Sequence, residues 1–150
     1  MGTRSLTIIK NDDEKGKDLL TIYRQFDGYP GGHGQDLKDF LMSRRLVNGY
    51  QGTEEEVNGM GDLAAQLLCH LKWTNNGLSD KKTFARINGP YVGNVYVYPN
   101  GSKHVGEEYT YIIKRDGVTD GFRLTVYQNM ATTTKLYDGP VAGFNPEMEY

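Results

Sequence analysis

The residues best suited to chemistry lie together in one stretch, Tyr23-Arg24-Gln25-Phe26-Asp27-Gly28-Tyr29-Pro30-Gly31-Gly32-His33-Gly34. Four glycines and a proline fall within the eight residues 27–34, too many for a regular element. Helical spacing begins directly after them, so the stretch leads from a strand through a turn into a helix. A helix start presents unpaired N–H groups and a partial positive charge, which suits an anion. Here the amides of Gly31, Gly32, His33 and Gly34 would cradle a phosphate, and the His33 ring would donate to it. Arg24 and Arg4 would converge on the same charge if the first two strands pair. Tyr23 and Tyr29 offer flat faces for a base. Asp27 reads as a turn former or an arginine partner rather than a catalytic base. The same stretch also reads as a tight packing corner. It matches neither G-x-x-x-x-G-K-[ST] nor G-x-G-x-x-G.

Other constellations are thinner. His33, His70 and His104 show no metal-ligand spacing. Cys69 and His70 are neighbours on a helix and point apart, so they make a poor nucleophile pair, and Cys69 reads as a small buried hydrophobe. Asp12, Asp13 and Glu14 lack the order of a calcium loop. Glu54, Glu55 and Glu56 read as a solvated stretch or a helix start. Arg115 and Arg123 sit on late strands and offer extra phosphate contacts. The late tyrosines, Tyr91, Tyr96, Tyr98, Tyr109, Tyr111 and Tyr127, read as core and interface more than as a ligand platform. No G-x-S-x-G elbow, H-E-x-x-H helix or H-x-T pair appears. No cofactor is implied.

The elements that must position these residues follow from periodicity. Residues 5–10 and 19–26 alternate as strands around the polar stretch 11–18, a hairpin with a long loop. A helix runs from Gln35 or Asp36 on Leu37, Phe40, Leu41 and Arg44, and ends before Gly49. Residues 53–61 read as an acidic loop. Leu63, Leu67, Leu68 and Leu71 mark a second helix, about 62–72, with Asp62 as N-cap. Residues 73–90 read as polar and irregular. Strands follow at 91–98, 107–115 and 121–128, with a short one at 134–137, joined by Pro99-Asn100-Gly101 and Asp116-Gly117 turns. Asp138-Gly139-Pro140 reads as a final turn. The sum is a single α+β domain over residues 1–150. Its antiparallel sheet combines an N-terminal hairpin and a C-terminal meander, with two helices on one side.

Composition sets outer bounds. The 150 residues suit one domain. With 17 basic and 19 acidic residues the net charge is −2, which argues against long nucleic acid as a partner. One cysteine and no charged-then-apolar leader fit a reducing cytoplasm, and no apolar run spans a membrane. Nineteen glycines exceed the usual share of about 7%. Eleven of the seventeen aromatics are tyrosine, a residue of wet binding surfaces. The modest apolar content of 37% leaves room for a second subunit to close some surface.

The start Met1-Gly2-Thr3-Arg4-Ser5-Leu6-Thr7, with Tyr23-Arg24-Gln25-Phe26-Asp27-Gly28-Tyr29-Pro30 and Gly32-His33-Gly34, resembles a family of small, mostly uncharacterised tailed-phage proteins. The match is specific over about the first 45 residues and loose beyond them. The resemblance implies a phage origin and the cytoplasm of an infected bacterium. Small phage proteins of this kind often counter host defence. By functional analogy, the chain looks like a sponge that sequesters a cyclic nucleotide or a cyclic ADP-ribose-type signal without cutting it, as a homodimer or larger oligomer. The ligand set would be Arg4, Tyr23, Arg24, Asp27, Tyr29, Gly31, Gly32, His33 and Gly34. One alternative is a protein-binding inhibitor of a host enzyme that uses a tyrosine-rich strand face. Another is a phosphodiesterase with His33 and Asp27 as acid and base.

Overall fold

The computed structural model describes residues 2–50, 52–53, 55–74, 94–117 and 121–147. Its centre is a six-stranded sheet. Strand β1 (Ser5–Lys10) pairs with β2 (Asp18–Arg24) as the expected antiparallel hairpin, from Ser5 opposite Arg24 to Ile9 opposite Leu20. The other strands are β5 (Val95–Tyr98), β6 (Tyr109–Arg115), β7 (Phe122–Asn129) and β8 (Thr133–Pro140). The spatial order is β5-β2-β1-β6-β7-β8, and only the β1–β6 pair is parallel. The fold is therefore α+β with a mostly antiparallel sheet.

Two helices cover one face. α1 (Gln35–Met42) contributes Leu37, Phe40 and Leu41, and α2 (Gly59–Thr74) contributes Met60, Leu63, Ala64, Leu67 and Leu71. The three-and-four spacing puts each set on one stripe. The stripes pack on Ile9, Ile22, Tyr111, Ile113, Leu124 and Val126, and all of these are buried. Burying one leucine side chain stabilises the fold by roughly 1.5–3 kcal/mol, so the two stripes are the main apolar contribution of the helices.

The structure corrects several expectations. The strand ending at Tyr98 does not join the C-terminal meander. It lies on the far side of the hairpin, with Thr21 opposite Tyr98 and Arg24 opposite Val95. β1 explains the arrangement. Leu6 and Ile9 are buried on opposite faces, as suits a central strand, and β2 and β6 pair with its two edges. The chain must then cross from β5 to β6 over the face opposite the helices. Asn100 meets Thr21 there at 2.8 Å, and Gly106 lies against the Arg4 guanidinium. Leu6, Thr21 and Tyr23 are buried beneath this crossing.

The 53–61 loop carries a short strand, β4 (Glu56–Asn58), parallel to β3 (Arg45–Val47). The Glu56 carboxylate accepts the Gly52 and Thr53 amides and pairs with Arg45. The Arg45 hydrogen bond holds its carboxyl below the usual range. Helix α2 starts at Gly59, so Asp62 is not the N-cap. From inside the first turn it reaches back to the Asn58 amide at 2.7 Å. β8 runs on through Asp138-Gly139-Pro140, because β7 pairs with it as far as Arg123 opposite Pro140. Cys69 is exposed rather than buried, on the side of α2 away from the leucine stripe. Residues 75–93, read as irregular with a strand beginning at Tyr91, lie outside the described residues, as does Glu54.

Candidate functional site

The glycine-rich stretch forms a closed corner. Arg24, the last residue of β2, points to the helix face and is 4% exposed. Its Nε donates to the Phe26 carbonyl at 2.6 Å. Its Nη1 donates to His33 Nδ1 at 3.0 Å and to the Asp36 carboxylate at 2.7 Å. A guanidinium only donates, so Nδ1 accepts and Nε2 carries the ring proton. Nε2 then donates to Thr7 Oγ1 at 2.6 Å. His33 is fully buried. That burial, and then the Arg24 charge, hold its pKa well below the ordinary histidine value, so the ring is neutral.

The surroundings seal the corner. Tyr111 sets the edge of its ring against His33, with centroids 5.0 Å apart, and donates its hydroxyl to the Gly28 carbonyl at 2.7 Å. Burial keeps the Tyr111 phenol protonated, well above its usual range. Pro30–Gly34 is one π-helical turn that runs straight into α1. Three of its amides are engaged, Gly32 and Gly34 on the Tyr29 carbonyl and His33 on the Asp27 carbonyl. Asp27 takes the left-handed conformation with φ 61° to present that carbonyl. A Cβ at Gly32 would stand 2.5 Å from the Asp27 oxygen.

Of the residues expected to bind an anion, Arg24, Gly32, His33 and Gly34 therefore meet, but their hydrogen-bonding groups serve one another. Both His33 ring nitrogens have internal partners, so neither is left for a phosphate or for proton transfer. Asp36, not Asp27, is the arginine partner. Arg4 does not converge with Arg24. It lies on the opposite sheet face beside Gly106, and its Nε is buried without a hydrogen-bond partner. Tyr23 is buried, stacked on Tyr98 at 4.6 Å and 7°, with its hydroxyl on Gln25. Asp27, Tyr29 and Gly31 are exposed. The sequence reading missed Thr7, Asp36 and Tyr111. Asp36 lies three residues after His33, one helical turn on, which was the available signal. Thr7 and Tyr111 reach the corner only through strand pairing.

Three cavities lined by described residues lie elsewhere. One of about 520 Å³ sits on the outer sheet face under residues 10–16. One of about 560 Å³ lies between His104 and Met130, and one of about 290 Å³ between Leu46 and Arg115. None of the three is lined by the glycine-rich turn. No cluster of three or more metal-ligating side chains exists among the described residues. None of the described helices is long and apolar enough to cross a membrane.

Comparison of the chain with protein-family models, with curated proteins and with solved structures finds no match.

Proposed function

We propose that this chain acts by binding a protein partner through the aromatic margin around β5. The observation that carries the reading is the exposure of large apolar side chains there, while the polar groups of the turn are engaged inside. Tyr96 and Val97 on the outermost strand are 45% and 55% exposed. Phe26 and Trp73 are also exposed. Phe26 is tied to the start of β5 by its amide on Asn94, and Lys72, next to Trp73, sits 5.3 Å from the Tyr96 ring. Tyrosine and tryptophan beside a cation is the side-chain chemistry of interface anchors. In the phage setting that the N-terminal resemblance suggests, the partner would be a host defence or metabolic enzyme.

The test is affinity capture from a bacterial lysate with the parent chain and with the double variant Tyr96→Ser, Val97→Ser. The expected result is a partner retained by the parent and lost by a variant that melts at the same temperature. Equal retention by both removes this surface from the reading.

Sequestration of a nucleotide messenger is the second reading. The 520 Å³ cavity favours it, since lysines and a tyrosine line it. A thermal-shift panel of cyclic nucleotides and cyclic ADP-ribose isomers, with recovery of the ligand after denaturation, tests it. An intact, strongly stabilising ligand supports sequestration, and a consumed one supports the phosphodiesterase reading. Buried and hydrogen-bonded through both ring nitrogens, His33 offers that last reading no accessible acid or base.

A further inference from the structure

The outer face of the sheet carries more fixed positive charge than its own carboxylates neutralise. Across β6 and β7, Lys114 stands directly opposite Arg123, a like-charge cross-strand pair. Asp138 serves Arg123 at 2.9 Å, Lys135 at 3.8 Å and the Thr125 hydroxyl at 3.0 Å. Arg123, first of all, holds its carboxyl below the ordinary aspartate range. On β1, Lys10 is matched by Asp18. Lys114 has no carboxylate within ion-pair distance among the described residues. The acidic loop above does not supply one. Asp12 pairs with Arg115 at 2.9 Å, and Asp13 accepts from Asn11 and the Gly16 amide. Glu14 is exposed, lines the cavity beneath and has no ion pair among the described residues.

Five cations, Lys10, Lys114 and Lys135 among them, and four carboxylates, Glu14 and Asp138 among them, line the same 520 Å³ cavity over Ile112 and Tyr127, an excess of one positive charge. That volume falls in the range of small-molecule sites, roughly 300–1,000 Å³. The 11–16 loop lines one side of the cavity. Lysine ammoniums are compact point charges suited to phosphate. We propose that this cavity is a binding site for a small phosphorylated organic molecule, with the phosphoryl group on Lys114 and Lys135 and the organic part over Ile112 and Tyr127. The site stands independently of the partner-binding reading and rests on the second one, which places a nucleotide in the same cavity.

Adenosine monophosphate is the probe, titrated into isotope-labelled protein at constant ionic strength set with chloride and followed by amide chemical shifts. The expected result is a saturable shift confined to β6–β8 and residues 10–16, with adenosine alone giving none. Lys114→Gln and Lys135→Gln, both changes at exposed positions, should each weaken binding about tenfold, or about 1.4 kcal/mol, without lowering the melting temperature. The proposal is overturned if the shifts do not saturate, if they vanish when chloride is matched, if adenosine binds as well, or if both variants bind like the parent.

Discussion

Replacing Arg24 by alanine removes three hydrogen bonds and leaves His33 Nδ1 buried without a donor. Asp36 is 36% exposed and recovers water, but a buried acceptor left unpaired costs about 1–3 kcal/mol, so urea unfolding of Arg24→Ala should show a loss of at least that size. An anion-binding arginine would instead leave the unfolding midpoint unchanged. The histidine adds a pH signature. Its folded pKa lies well below 6.5, so between the two values the unfolded chain binds a proton that the folded chain refuses. This contribution to stability is complete above the unfolded value of about 6.5 and is lost as pH falls toward the folded one. His70 is shifted the same way, chiefly by burial, and adds to the slope. His33→Gln should flatten the stability profile below about pH 6.5 relative to the parent, read by denaturant midpoints across pH. Sequence spacing could show that Arg24 and His33 flank one turn. It could not show whether they face out or in, because that depends on Thr7, Tyr111 and the helix face they meet.

At the level of elements, the corner tolerates side chains unequally. Gly32→Ala drives a Cβ to 2.5 Å from a backbone oxygen that cannot move without breaking the His33 amide bond. A loss of about 1–3 kcal/mol or more is expected in thermal unfolding. Gly31→Ala meets nothing closer than 3.7 Å and should stay within about 0.5 kcal/mol of the parent. Periodicity made the hairpin, both helices and β6–β7 legible, since each element spans at least 6 residues. It missed β3 and β4, because three residues carry no period. It also misplaced β5, whose alternating Val95-Tyr96-Val97-Tyr98 suits any sheet edge. Only the ten residues 99–108, enough to cross β2 and β1, decide which edge it takes.

Across the whole molecule, stability should fall from the centre of the sheet outward. β1 and β6 are flanked on both edges and covered by helices, whereas β5 and β8 are outermost. Native-state hydrogen exchange should find the slowest amides around Ile9 and Ile113, and faster ones in β8 and β5. Uniform protection across the six strands would refute this gradient. The molecule also keeps its two faces distinct. Arg24 and Asp36 balance each other under the helices, while the cations of β6–β8 gather on the other side. The composition alone, near neutral overall, conceals that division.

The parallel pairing of β1 with β6 has a consequence for synthesis. A ribosome releases Ser5–Lys10 about a hundred residues before the partner that covers its second edge, Tyr109–Arg115. Both edges of the apolar hairpin stay open until Val95–Tyr98 follows, and the β1 edge stays open until Tyr109–Arg115. Chains on neighbouring ribosomes then carry identical unsatisfied edges, the geometry from which strands of different chains join. Expression should therefore give more soluble protein when a holding chaperone is abundant. The fraction lost should track the length of that exposed interval rather than the stability of the finished fold.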